Sequence, residues 1–105
     1  MTVDLRVDAF RRAVTNLVEN ARRHGSRVGL AAQRAGARQI EVTIDDNGPG
    51  LAPERRENAF RPFESGAAGG TGLGLTIARD IVRAHGGDIT LEDSPLGGLR
   101  ARIAI

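Results

Sequence analysis

Apolar residues recur along the chain with two different periods, and the positions where the period changes predict the order of its helices and strands. In the first quarter of the chain they recur every three or four positions, which is the period of an amphipathic helix. Asp8 is suited to cap the start of this helix and Gly25 to end it, so we predict a helix over residues 9–24. A short strand is expected before it, at residues 3–5.

Two later stretches alternate between apolar and polar positions, which is the pattern of half-buried strands. The first stretch spans residues 28–44 and turns at 34–37, and its first strand is expected to end near Ala32. The second stretch spans residues 89–105 and turns at 94–98, where Ser, Pro and Gly favour a turn. Each stretch is predicted to form a β-hairpin.

Two more helices are expected between the hairpins. Residues 53–60 form a short helix with Pro53 in its first turn, and the apolar residues from Leu73 onward form an amphipathic helix that ends at residues 86–87. Three helices beside two hairpins indicate the α+β class, as a two-layer α/β sandwich in which a mixed β-sheet of about five strands is covered on one face by three helices. The chain is short enough to be one domain, over residues 1–105.

The composition narrows the classes of function. All fifteen basic residues are Arg, and the formal net charge is only +2. The high isoelectric point follows from the absence of Lys, Tyr and Cys, because no side chain then titrates between His and Arg. It is therefore weak evidence for nucleic-acid binding. The absence of Cys also excludes a disulfide scaffold. With no long apolar run and no signal peptide after Met1, we expect a cytoplasmic domain that makes no membrane contact.

The first cluster of chemically useful residues lies on the first predicted helix. Asn16 and Asn20 are four positions apart and therefore share one helix face, beside the buried stripe. Amide oxygens are suitable Mg²⁺ ligands, and Mg²⁺ usually takes few protein ligands together with phosphate oxygens and water. A metal site and a pair of capping or solvent-facing Asn side chains both fit this spacing.

The second cluster, residues 46–50 with the sequence DNGPG, follows the second predicted strand. Asp46 can accept the exocyclic N–H of an adenine, and Gly48 and Gly50 let the backbone approach a ligand closely. The same residues are also those of a plain tight turn, and the segment alone does not separate the two interpretations.

The third cluster, residues 70–75 with the sequence GTGLGL, opens the last predicted helix. Its glycines expose backbone amides at a helix N-terminus, which favours bound anions. It lacks the Lys-Ser/Thr pair of a Walker loop, and no strand leads directly into it as in a dinucleotide-binding fingerprint. A flexible loop that closes onto a helix is the alternative.

Taken together, the order and spacing of these clusters resemble the histidine-kinase branch of the Bergerat-fold family, whose ATP site is shared with DNA gyrase, MutL and a heat-shock chaperone. The resemblance covers residues 5–105 and is most like that of osmosensor-type kinases. Its motifs are the N box (16–20), the first glycine box (46–50), the F box (60–63), the second glycine box (70–75) and a terminal glycine turn (97–98).

The resemblance implies ATP and Mg²⁺ as cofactors and assigns roles around the metal. Asn20 would be the catalytic residue, as a ligand of Mg²⁺, with Asn16 close to the metal and the phosphates. Arg23 stands where the family often has a basic residue for the phosphates, and His24 stands where it often has an aromatic residue near the nucleotide.

The resemblance also assigns the remaining nucleotide contacts. Asp46 would read the adenine amino group, and Gly48 and Gly50 would shape that part of the pocket. Phe60 and Phe63 would anchor the base of the lid, although scarce aromatic residues also serve packing. The second glycine box would contact the phosphates through Thr71, Gly72, Leu73 and Gly74.

By this resemblance the chain would be a protein histidine kinase. It would pass the γ-phosphoryl group of Mg-ATP to a histidine on a separate dimerisation and phosphoacceptor domain, with a response regulator as an indirect partner. The parent protein would be an inner-membrane sensor kinase. Neither His24 nor His85 is followed by the acidic residue that marks the acceptor histidine, so the acceptor must come from elsewhere.

The N box indicates transfer rather than hydrolysis. The ATPase members of the family have Glu four residues before the metal-binding Asn, where this chain has Asn16. Glu19 should face elsewhere, because neighbouring helical residues point about 100° apart. We therefore expect negligible ATP hydrolysis.

The segment between the F box and the second glycine box departs from the family pattern. Only residues 64–69 separate the two boxes, and none of them is basic, whereas the family usually has a longer lid that often carries an Arg for the γ-phosphate. This short lid supports one alternative, a degenerate nucleotide-binding module with no transfer activity. An anti-sigma-factor-type serine kinase of the same fold is the other alternative.

Overall fold

The structure, a computed structural model, describes residues 7–37, 39–61 and 74–105. Its elements follow the predicted order of helix, hairpin, short helical segment, helix and hairpin. They are α1 (Val7–His24), β1 (Val28–Gly36), β2 (Gln39–Asp46), two 3-10 turns (Pro53–Arg55 and Asn58–Phe60), α2 (Gly74–Ala84), β3 (Asp88–Asp93) and β4 (Leu99–Ala104).

The sheet has the strand order β1-β2-β4-β3, and every neighbouring pair is antiparallel. The predicted α+β sandwich is confirmed, but the described residues contain four strands rather than about five, and no parallel pair among them makes the sheet mixed. The crossover through α2 does leave β2 and β3 parallel to each other, since both are antiparallel to β4, but β4 lies between them. The strand predicted at residues 3–5 lies outside the described residues.

Both α-helices pack on one face of the sheet, as predicted. In β4 the side chains alternate, so that Leu99, Ala101 and Ile103 are buried. A strand with one buried face requires this period of two, and a helix requires apolar residues every three or four positions. The core shared by the two layers consists of Ala13, Leu17, Ala21, Val42, Ile44, Phe60, Leu75, Ala78, Val82, Ile89, Leu91, Leu99, Ala101 and Ile103.

The other face of the sheet carries ion pairs instead of helices. Arg100 makes two hydrogen bonds to Asp45, at 2.7 and 3.0 Å, and Arg102 joins Glu41 to Glu92 across three strands. Burial acts to raise the pKa of Asp45, but the hydrogen bonds from Arg100 and from Ser94 outweigh it and hold that pKa below its usual value. Cross-strand pairs of opposite charge thus cover the face that is opposite to the two described α-helices.

Element ends differ from the predictions at two places. β1 runs on to Gly36, because its residues beyond Ala32 stay paired with β2 although they are exposed and show no apolar alternation. Asp8 lies inside the first turn of α1 rather than capping it, where its charge still favours the helix dipole. Neither of the described α-helices has the length and apolar character needed to cross a membrane.

The predicted end of the last helix is confirmed, and its geometry explains the glycine pair that follows it. Gly86, at φ +86, takes the left-handed conformation that ends a helix. The amides of Gly86 and Gly87 donate to the carbonyls of Arg83 and Val82, each at 3.0 Å, which is the hydrogen-bond pattern of a Schellman motif. The chain thereby turns directly from α2 into β3.

Candidate functional site

A cavity lies where the ends of α1 and β2 meet the starts of α2 and β4. Its volume is about 160 Å³. Polar side chains that can recognise a ligand are combined there with apolar ones that can pack against a flat ring. The lining residues are Asn20, His24, Asp46, Gly50, Leu51, Arg55, Asn58, Ala59, Leu75 and Leu99.

Asp46, the last residue of β2, is the acidic side chain of this cavity and is only 2% exposed. Its Oδ1 accepts hydrogen bonds from the backbone N–H groups of Gly48, at 2.9 Å, and Leu99, at 3.1 Å. Both bonds reach the same oxygen, so within the described part of the chain Oδ2 keeps its capacity to accept. A carboxylate held in this way can receive an N–H donor from a ligand.

Glycines allow three backbone segments to pack closely around Asp46. A Cβ atom on Gly98 would lie 2.1 Å from Oδ1 of Asp46 and 2.5 Å from the nitrogen of Gly48. A Cβ atom on Gly48 would lie 2.3 Å from the carbonyl oxygen of His24. Neither position has room for a side chain, so backbone contacts fix this part of the site. We call residues 46–50 and 98–99 the glycine wall.

The last two turns of α1 bring Asn20 and His24 to the cavity, since residues four apart share one helix face. Asn16, one turn earlier, is half-buried but does not line the cavity; its carbonyl oxygen lies 4.0 Å from the place of a Cβ atom on Gly74, at the start of α2. Arg23 is exposed and also lies outside the lining. The structure therefore brings two of these four predicted residues into the cavity itself.

Glu19 has the orientation predicted for it. Its side chain is 55% exposed, lies 3.7 Å from Arg22 on the same helix and takes no part in the cavity lining. A carboxylate in that position cannot reach a water molecule inside the cavity to activate it.

A second wall of the cavity is formed by the two 3-10 turns and the residues just before them. Leu51, Arg55, Asn58 and Ala59 belong to the lining. Phe60 is buried behind them in the core rather than in the lining. We call residues 51–60 the helical wall.

Ion pairs from α2 and β3 lie behind the helical wall. Arg79 pairs with Glu57 at 2.7 Å and with Asp88 at 3.1 Å, and Arg83 also pairs with Asp88 at 3.1 Å. The hydrogen bonds from Arg83 lower the pKa of Asp88 to about 2, with burial opposing the change and Arg79 adding to it. Burial acts to lower the pKa of Arg79, but its hydrogen bonds to Glu57 and Asp88 raise it above its ordinary value.

Four of the predicted site residues lie outside the described residues: Phe63, Thr71, Gly72 and Leu73. Gly74, the last residue predicted for the phosphate contacts, is the first residue of α2. The described residues contain no cluster of three or more His, Cys, Asp or Glu side chains that could hold a metal ion.

Six residues of the lining had no role predicted for them. Leu75 is the last residue of the second glycine box and Leu99 directly follows the terminal glycine turn, and an apolar residue at the end of a glycine motif is a sequence signal for a pocket surface. Leu51, Arg55, Asn58 and Ala59 carry no such signal, because nothing in their own sequence says which side of a short helix faces a ligand.

The profile of the family described as histidine kinase-, DNA gyrase B- and HSP90-like ATPases matches residues 6–105. Among curated proteins, sensor histidine kinase CpxA of Escherichia coli (strain K12) is 44% identical over 102 residues, covering 89% of this chain and 22% of CpxA. Sensor-type histidine kinase PrrB of Mycobacterium leprae (strain TN) is 42% identical over 103 residues, covering 91% of this chain and 22% of PrrB. The chain thus spans about a fifth of the length of these relatives.

Solved structures of histidine kinases share the fold. The mycobacterial sensor histidine kinase MprB superposes with a TM-score of 0.82 at 29% identity, over 93% of this chain and 70% of that one. The ATP binding domain of PrrB from Mycobacterium tuberculosis gives a TM-score of 0.70 at 37% identity, over 90% of this chain and 64% of that one. Full-length ShkA in complex with AMPPNP gives 0.78 at 27% identity, over 91% of this chain and 21% of that one.

Proposed function

The chain belongs to the histidine kinase-, DNA gyrase B- and HSP90-like ATPase family, and on that premise we propose that it binds Mg-ATP and donates the γ-phosphoryl group to a histidine on a separate domain. The observation that carries the proposal is the buried carboxylate of Asp46 in a cavity that Asn20 and His24 also line. The curated relatives are named sensor histidine kinases, which favours this branch over an anti-sigma-factor-type serine kinase.

The adenine end of the nucleotide would lie against the glycine wall. Oδ1 of Asp46 is occupied by two backbone N–H donors, so the other oxygen is suited to the exocyclic amino group. Leu51, Ala59 and Leu99 add apolar surface for the face of the base. A buried acceptor of this kind favours binding of a ligand that donates a hydrogen bond to it. It disfavours a ligand without such a donor, because the acceptor then stays buried and unpaired.

The phosphate end would lie toward Asn20 and the start of α2. The amide oxygen of Asn20 is of the type that Mg²⁺ accepts, and the neighbouring Asn16 lies beside Gly74, where α2 begins. When bound, Mg²⁺ would neutralise charge on the phosphates. The helix N-terminus at Gly74 favours the same anionic groups.

The side chains of this chain are better suited to phosphoryl transfer than to ATP hydrolysis. Asn16 occupies the place of the general base of the ATPase members, and an amide does not accept a proton from water near neutral pH. Glu19, the adjacent carboxylate, is exposed. The nucleophile is therefore proposed to be an imidazole of a dimerisation and phosphoacceptor domain, with a response regulator as the later partner and an inner-membrane sensor kinase as the parent protein.

The proposal is tested by incubating the chain with Mg²⁺ and γ-labelled ATP together with a separately purified dimerisation and phosphoacceptor domain of a sensor kinase. Label on a histidine is expected, and it should be lost with Asn20→Ala and on omission of Mg²⁺. Nucleotide binding without transfer would instead support the degenerate module. Label on serine would support the serine kinase.

A further inference from the structure

The helical wall has little structure of its own to keep it in place. It consists of two 3-10 turns, and of the six residues in those turns only Phe60 is buried. Turns of this kind have poor hydrogen-bond geometry and are rarely stable alone. Since Asn58 and Ala59 line the cavity, the position of this wall must be set by contacts from other elements.

Arg79 of α2 makes three separate contacts behind the wall. Its guanidinium lies over the ring of Phe60, 4.1 Å from the ring centroid. It also pairs with Glu57, which precedes the second turn, and with Asp88, the first residue of β3. Only 14% of the Arg79 side chain is exposed, so its contact with Phe60 is partly shielded from water, whereas its partner Glu57 is 75% exposed.

One turn earlier on α2, Thr76 contacts the same place. Its hydroxyl donates a hydrogen bond to the carbonyl oxygen of Phe60. Two consecutive turns of α2 therefore hold the C-terminal end of the wall, one through the backbone of Phe60 and the other through its ring.

Arg56 holds the other end of the wall. Its Nε donates to the carbonyl oxygen of Leu51 at 3.0 Å, and its Nη2 donates to Asp93 at 2.6 Å. Asp93 is the last residue of β3, whereas Asp88 is the first. The wall is thus tied through two arginines to the two ends of a single strand.

We propose that Arg79 is a positioning residue of the nucleotide site, which holds the helical wall against the bound ligand without touching the cavity. Arg79 does not belong to the cavity lining. The inference rests on the proposed nucleotide binding. If the wall is out of place for part of the time, only the remaining fraction of the molecules can bind the nucleotide. The apparent affinity is then reduced in proportion to that fraction.

Arg83 provides a matched control for Arg79. It lies one turn later on α2 and pairs with the same Asp88 through two hydrogen bonds, at 3.1 and 3.3 Å. Among the described residues the hydrogen bonds of its side chain go only to Asp88, so a substitution at Arg83 removes an ion pair without releasing the wall.

The experiment compares Arg79→Gln with Arg83→Gln by calorimetric titration of ADP and Mg²⁺, at a temperature well below both melting points. Arg79→Gln is expected to raise the Kd roughly three- to tenfold, and Arg83→Gln is expected to leave it within about twofold. Arg79→Lys should give an intermediate Kd, because it keeps a cation over Phe60 but only one of the ion pairs. Equal Kd values for the wild type and Arg79→Gln, or equal losses in the two Gln variants, would overturn the inference.

Amide hydrogen exchange gives a second readout that a general loss of stability does not reproduce. The amides of Ala59, Phe60 and Arg61 donate to carbonyls within the wall. They are expected to exchange faster in Arg79→Gln than in Arg83→Gln, while amides of β4 remain unchanged. If Arg79→Gln does not fold, the same comparison is made between Arg79→Lys and Arg83→Lys.

Failure of the proposed function can be told apart from failure of this inference. A wild-type chain that binds no nucleotide contradicts the function, and the exchange comparison then decides alone whether Arg79 holds the wall. A wild-type chain that binds, with a wall that exchanges equally in both variants, contradicts the inference only.

Discussion

The glycine wall and the helical wall line the same cavity but are held by different kinds of interaction. Around Asp46 the backbone itself makes the contacts, and Gly48 and Gly98 leave no room for a side chain. In the helical wall the contacts come from side chains of distant elements, and Arg79 contacts Glu57 and Phe60 on either side of Asn58 and Ala59. The first wall is therefore sensitive to added volume, whereas the second is sensitive to lost charge.

The largest effect is expected where volume is added to the glycine wall. In Gly98→Ala the new Cβ would lie 2.1 Å from Oδ1 of Asp46, so the carboxylate or the backbone must move. We expect a loss of about 2–3 kcal/mol in the free energy of unfolding, in the range of overpacked sites, together with at least roughly tenfold weaker nucleotide binding. Urea unfolding and calorimetry measure the two effects.

Gly29→Ala is the matched control for that substitution. Gly29 lies in β1, where the nearest atom to a new Cβ is Cδ1 of Leu96, at an ordinary 3.7 Å. Its unfolding free energy should change by less than about 1 kcal/mol. Equal effects of the two Ala substitutions would mean that close packing around Asp46 does not set this wall.

A smaller effect is expected from acid, on the ion pairs behind the helical wall. The pKa of Asp88 is lowered from 3.8 to about 2, so its contribution to stability is present above about pH 4 and is lost as the pH falls toward 2. Because the side chain is 47% exposed, solvent screening limits this contribution to about 1 kcal/mol.

Urea unfolding at pH 5 and pH 2 tests this, with Asp88→Asn as the comparison. The variant should be less stable than the wild type at pH 5, and the difference should become much smaller at pH 2, where about half of the Asp88 carboxyl groups are protonated. Asp45 and Glu92, whose pKa values are also lowered, remain and keep part of the acid dependence in both proteins. A difference that is as large at pH 2 as at pH 5 would show that Asp88 acts through packing rather than charge.

The smallest effect is expected at Glu19, which belongs to neither wall. Its exposed side chain pairs only loosely with Arg22, at 3.7 Å. Release of phosphate from ATP should be negligible in the wild type and unchanged in Glu19→Ala, and stability should change by less than about 0.5 kcal/mol. Brisk hydrolysis that Glu19→Ala abolishes would contradict the place given to this carboxylate.

Much of the glycine wall could be predicted from the sequence because its information is local. A strand that runs into DNGPG places Asp46 at an element end. Beside this wall, the four-residue spacing predicts that Asn16 and Asn20 share one helix face, but only Asn20 lines the cavity. The two hairpins and both α-helices follow from apolar periodicity in the same way. The strand β1 was predicted too short, since an exposed edge strand needs no apolar alternation to stay paired.

The sequence predicts a short helix at residues 53–60, where the structure has two 3-10 turns, but the contacts that hold the helical wall could not be predicted, because they join residues far apart in the chain. Arg56 and Asp93 are 37 positions apart, and Arg79 and Glu57 are 22 apart. With fifteen arginines in the sequence, no local pattern distinguishes these from arginines on the solvated surface. The absence of a parallel pair among the described strands also depends on tertiary placement, since β4 lies between β2 and β3.

The central claim is that the carboxylate of Asp46 accepts a hydrogen bond from the amino group of an adenine in the cavity. Titration calorimetry of ADP and Mg²⁺ tests this claim most directly. Asp46→Asn keeps an oxygen for the N–H groups of Gly48 and Leu99 but replaces the second acceptor with a donor. Asp45→Ala is the control, because Asp45 lies on the opposite face of the sheet and pairs with Arg100. We predict saturable binding by the wild type and by Asp45→Ala, and affinity lower by roughly 10–100-fold in Asp46→Asn. Undiminished binding in Asp46→Asn, or none in the wild type, would contradict the claim.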